Sequence, residues 1–68
     1  MRIETIRYQR TNSKNPSGFN IWAFDYETTE GLVTLTTPTS MLYTDAKVWA
    51  IRQGRSMDLT SDQIFVSP

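Results

Sequence analysis

The sequence predicts a small α+β domain in two layers. An antiparallel sheet of three to four strands carries one packed helix, in the order β-β-β-α-β. Three observations lead there. Aromatic and β-branched runs fill the first half of the chain, and turn residues such as "NPSG" and "TTEG" separate them. After Pro38 the apolar spacing changes from every second residue to every third or fourth. At 68 residues the chain has room for one domain, 1–68, with one small core.

Taken in order, "RIETIRYQRT" reads as a first strand, with Ile3 on one face and Ile6 and Tyr8 on the other. "NSKNPSG" is a loop punctuated by Pro16 and Gly18. The second strand runs from Phe19 to about Glu27, and "TTEG" closes a hairpin with Gly31 where positive φ is needed. "LVTLTTPT" is the third strand, which Pro38 ends or marks as an edge. "SMLYTDAKVWAIRQG" is the helix, with Ser40 or Thr44 as N-cap and Gly54 just past its end. Leu42, Ala46, Trp49 and Gln53 share one face of it, so Trp49 and Leu42 are expected against the sheet. "RSMDLTSD" is a loop, and "QIFVSP" is a short fourth strand or an ordered tail.

The second strand is apolar on both faces: Phe19, Ile21 and Ala23 alternate with Trp22, Phe24 and Tyr26. One helix covers one face of a sheet. Phe19, Ile21, Leu32 or Leu35, Leu42, Ala46 and Trp49 suffice for a helix-facing core. That leaves Trp22, Phe24 and Tyr26 as the less covered face, with at least one of them in a protein contact. The N-terminal loop or the tail offers another cover. Val48 and Ile51 fall away from the Trp49 face of the helix and form a second candidate contact patch, bordered by Lys47, Arg52 and Arg55.

Seven basic residues balance seven acidic ones, so the chain carries no overall field of either sign. Cysteine and histidine are both absent, which removes disulfides, thiolate chemistry, and the commonest zinc ligand and general base. The lack of cysteine points to the cytoplasm. "MRIETIRYQR" lacks the apolar centre of a signal peptide, and no run has the length of a membrane span. Asp25 and Glu27 share a strand face, but they stand at a strand end where charges are solvated. Asp58 and Asp62 lack the glycine and closing glutamate of a calcium loop. No catalytic residue, metal ligand or cofactor site is expected.

These features indicate a non-enzymatic protein-binding module, an inhibitor, adaptor or accessory subunit. Its partner would be another protein or a second copy of itself, and aromatic residues favour interface centres. One alternative is a nucleic-acid-binding module whose sheet aromatics stack bases while Arg7 and Arg10 meet phosphates. It would need Arg2, Arg7, Arg10, Arg52 and Arg55 to converge on one side, and Asp25, Glu27 and Glu30 oppose it. Another alternative is a small homo-oligomeric structural protein.

Overall fold

The computed structural model describes residues 2–59 and 63–68. The elements are β1 (Arg2–Glu4), α1 (Ile6–Asn12), β2 (Phe19–Asn20), β3 (Ala23–Thr28), β4 (Gly31–Thr36), β5 (Met41–Leu42), α2 (Tyr43–Ser56) and β6 (Gln63–Val66). β1, β6, β3 and β4 make a four-stranded sheet in that spatial order, and β2 and β5 make a separate two-stranded ribbon. β6 pairs parallel with β1 and antiparallel with β3. The small α+β domain is as the sequence indicates. It differs in having a mixed sheet, a second sheet and a second helix.

The β3–β4 hairpin turns where its sequence signals place it, but the expected strand from Phe19 to about Glu27 is split, with Phe19–Asn20 pairing to β5 instead. Pairing runs from Ala23 opposite Thr36 to Thr28 opposite Gly31. Gly31 has φ 123, a value its missing Cβ permits. The Thr28 hydroxyl donates to the Gly31 carbonyl at 2.7 Å and accepts from the Glu30 N–H at 3.2 Å, which fixes the turn.

The expected first strand stops after three residues, and Ile6–Asn12 coils into α1 instead. Ser13 ends this helix with φ 58, its N–H donating to the Gln9 carbonyl at 2.8 Å. The Gln9 side chain donates to Thr5 Oγ1 at 2.8 Å and to Asn15 Oδ1 at 2.6 Å. Seven residues are too few for a helix that stands alone in water. Docking holds it: Tyr8 is buried, and its ring centroid lies 5.6 Å from that of Trp22.

α2 is longer than its sequence signals suggest. Gly54 lies inside it, and Leu42 is the N-cap residue in place of Ser40 or Thr44. Leu42 offers no side-chain cap, but the Tyr43 N–H donates to the Gly18 carbonyl at 2.9 Å, which satisfies one open donor of the first turn. Asp45 in the first turn and Arg55 in the last match the helix dipole. The buried residues are Ala46, Ala50 and Gly54, one every four positions, so the face against the sheet is a stripe of small side chains. Trp49 is only partly buried beside that stripe, and Leu42 is exposed, against the expectation that both lie beneath the helix.

The small stripe leaves room for large residues opposite. Phe24 and Tyr26 are fully buried, with Ile64 and Val66 beside them on β6. The Tyr26 hydroxyl donates to the Ala50 carbonyl at 2.9 Å. Its ring sits so close to α2 that a Cβ added to Gly54 would overlap Oη and lie 2.6 Å from Cζ. Trp22 is 3% exposed, and its indole N–H donates to the Met41 carbonyl at 3.0 Å. The expectation that Trp22, Phe24 and Tyr26 form the less covered face is therefore reversed: these three are the centre of the core.

Burial raises the Tyr26 hydroxyl above its ordinary value, and nearby Arg55 partly offsets this; burial alone raises Tyr43. Both groups are held protonated by the fold. Their contribution to stability is complete below the unfolded value of about 10 and is lost as pH rises through the higher native value. Melting temperature is expected to fall on the alkaline side, checked by thermal melts from about pH 8 to about pH 11. Tyr26→Phe should cost about 1 kcal/mol at neutral pH through the lost hydrogen bond and flatten that alkaline fall. A wild-type melt that does not change across the range would refute the assignment.

Candidate protein interface

With Trp22, Phe24 and Tyr26 inside, Phe19, Ile21 and Leu42 are among the large apolar residues left exposed. Phe19 is 71% exposed, Ile21 54% and Leu42 49%. Phe19 and Leu42 stand directly opposite each other in the β2–β5 ribbon, so their side chains share one face. Beside them, Pro16–Gly18 and Leu42–Thr44 border a cleft of about 180 Å³. The ribbon is anchored rather than loose. Pro16 is buried, the Gly18 carbonyl accepts from Tyr43, and the Met41 carbonyl accepts from the Trp22 indole. The ribbon's polar neighbours are Ser17 and Thr44 on the cleft wall and Asn20 next to Phe19 in β2.

The patch on the helix is weaker. Val48 is exposed, but Ile51 is partly buried and packs against the core, so the two do not form one contact surface. Single exposed apolar residues are ordinary on folded proteins.

Asp25 and Glu27 do share a sheet face, as their spacing implies, and Arg7 binds both. Its Nη2 lies 2.7 Å from Glu27 Oε1 and its Nη1 lies 4.0 Å from Asp25 Oδ2. The guanidinium also stacks 3.9 Å from the centre of the Phe65 ring. Thr34 Oγ1 donates to Asp25 Oδ1 at 2.7 Å. Arg7 is thus on a helix rather than on a strand beside the aromatics, and two carboxylates occupy its charge. Arg10 is exposed in the last turn of α1, also off the sheet, and Arg2 pairs with Glu4 at 3.3 Å. Arg7 and Arg10 thus stand on α1 and not on a strand next to Trp22, Phe24 and Tyr26, where the nucleic-acid alternative places them.

A larger cleft of about 480 Å³ lies between the β3–β4 turn and the segment after α2, with Glu27, Glu30 and Asp58 on its walls. Among the described residues, no group of three or more acidic side chains converges closely enough to hold a metal ion. Asp62, the second member of the aspartate pair noted in the sequence, lies outside the described residues. No helix among the described residues is long and apolar enough to cross a membrane.

No protein-family model, curated protein or solved structure matches this chain. Fold and surface define it as a small α+β domain with an anchored, apolar two-stranded ribbon on its outside.

Sequence reasoning counted Phe19 and Ile21 as core and missed them as surface. The signal that would have placed them is in the helix. Small residues at 46, 50 and 54 call for aromatic partners, and only the Trp22, Phe24 and Tyr26 face supplies those in sufficient size.

Proposed function

We propose that the protein is a non-enzymatic protein-binding module, an inhibitor, adaptor or accessory subunit, and that the β2–β5 ribbon is its contact surface. One observation carries this reading: Phe19, Leu42 and, just past β2, Ile21 are all about half exposed or more, on or beside a ribbon whose Gly18 and Met41 carbonyls are tied by hydrogen bonds to Tyr43 and the Trp22 indole. A rigid apolar patch with a polar rim is how hot-spot interfaces are built. The cleft beside it, about 180 Å³, is below the usual range for metabolite sites and has the size of a protruding side chain. The partner chemistry is therefore a protein surface that offers an apolar knob among neutral polar groups.

The test compares wild type with Phe19→Ala/Ile21→Ser in pull-downs from nuclease-treated native lysate, with Val48→Ser as control. The ribbon variant should keep its circular-dichroism melt and lose the captured protein by about thirtyfold or more in affinity, the scale of a hot-spot loss. If the ribbon variant captures the same protein as strongly as wild type, the ribbon is not the interface. A tight nucleic-acid complex that weakens steeply with salt would favour the other reading.

A further inference from the structure

β4 is the last strand of the sheet, and its outer edge has no strand beside it among the described residues. The hydrogen-bond phase shows which groups point there. The Thr37 N–H donates to the Trp22 carbonyl at 2.8 Å, so residues 22 and 37 bond across the ladder. Bonding pairs alternate in an antiparallel ladder. Leu35, Val33 and Gly31 therefore bond to β3, and Leu32, Thr34 and Thr36 turn their N–H and C=O groups outward. All three side chains at those positions are exposed.

Natural sheets protect such edges with charge, proline, bulges or very short strands. The opposite edge does so: β1 has three residues, and two of them are Arg2 and Glu4. β4 has none of these devices. It runs for six paired residues, "GLVTLT", without a charge or a proline.

We infer that β4 pairs antiparallel with β4 of a second copy, about a two-fold axis at Thr34. This goes beyond the ribbon interface and does not depend on it. An axis at Val33 bonds Leu32 to Thr34 of the copy, twice, but sets Thr36 against Glu30 in the turn, and an axis at Leu35 sets Leu32 against Pro38, so neither uses all three outward positions. An axis at Thr36 sets Thr34 against Pro38, which has no N–H to give. An axis at Leu32 sets Thr34 against Glu30 and leaves Thr36 outside the ladder. At Thr34 all three outward positions are used: Thr34 meets Thr34, and Leu32 meets Thr36 of the second copy, twice. Each pair exchanges two hydrogen bonds. On the helix-covered face Val33 meets Leu35 of the copy and extends the apolar row. No like charges meet within the register, and the formal net charge of zero leaves no general repulsion between copies.

The register makes the proposal testable. Sedimentation and light scattering across a concentration series should give a mass of twice 7.9 kDa at the upper end. Leu32→Lys/Thr36→Lys puts two like-charge pairs across the axis and should weaken the dimer by about tenfold or more. Leu32→Glu/Thr36→Lys makes both pairs opposite in sign and should restore it. Within one chain these positions lie too far apart along β4 to pair with each other. Wild type supplies a readout that needs no variant: exchange of the Thr34 amide should slow as concentration rises. A monomer at every concentration overturns the proposal. So does a dimer that both double variants affect equally, or a Thr34 amide whose exchange ignores concentration.

Discussion

Trp22→Ala is expected to unfold the domain rather than to weaken a contact with a partner. The indole is buried, its ring centroid is 5.6 Å from that of Tyr8 and 5.1 Å from that of Tyr43, and its N–H holds the Met41 carbonyl. Truncating a buried aromatic of this size costs about 3–5 kcal/mol. A domain of this length has about 3–10 kcal/mol in total. The variant also leaves the Met41 carbonyl without its donor and removes the surface on which α1 docks. Circular dichroism and a urea melt provide the check, with Phe19→Ala as a control that should change little. A native-like melt for Trp22→Ala would contradict the core described above.

Gly54→Ala should also be destabilising, although alanine is the better helix former. In an open helix the exchange would gain about 1 kcal/mol. Here the new methyl meets the Tyr26 ring, with Cζ 2.6 Å away, and that ring is fully buried and hydrogen-bonded to the Ala50 carbonyl, which limits relief. Overpacking of this kind costs about 1–3 kcal/mol, and valine should be worse than alanine. Tyr26→Phe removes the closest atom, so the pair should be coupled: Gly54→Ala should cost less in the Tyr26→Phe background. Chemical denaturation of the four species closes the cycle. An alanine variant more stable than wild type would show that α2 does not approach β3 as closely as described.

Much of the fold was readable from local signals. Gly31 and the threonine-rich run specify the β3–β4 hairpin, and the spacing after Pro38 specifies α2, because both depend on near neighbours. Two features were not readable in this way. "IRYQRTN" alternates apolar and polar residues as a strand does, and it becomes a helix because Tyr8 reaches Trp22 and Ser13 takes a left-handed turn. The faces of β3 were misassigned for a steric reason. Counting apolar residues treats alanine and tryptophan as equal supply, whereas close packing matches volumes. The stripe at 46, 50 and 54 is nearly flat, and only the larger face of β3 fills the space above it. The candidate surface moved with that assignment: burying Trp22, Phe24 and Tyr26 is what turns Phe19 and Ile21 outward.

The position of β6 sets how the molecule comes apart. It follows every other strand in the chain, yet lies between β1 and β3. If its four residues let go, β1 loses its neighbour in the sheet and β3–β4 is left as a bare hairpin, marginal in water at best. The same release uncovers Phe24 and Tyr26 along the row where Val66 and Ile64 lay. β1 can leave alone as an edge strand, but loss of β6 parts β1 from β3–β4 in one step, because the strand that divides the sheet is also the one that joins it. Opening at β6 therefore removes two of the sheet's three strand pairings together.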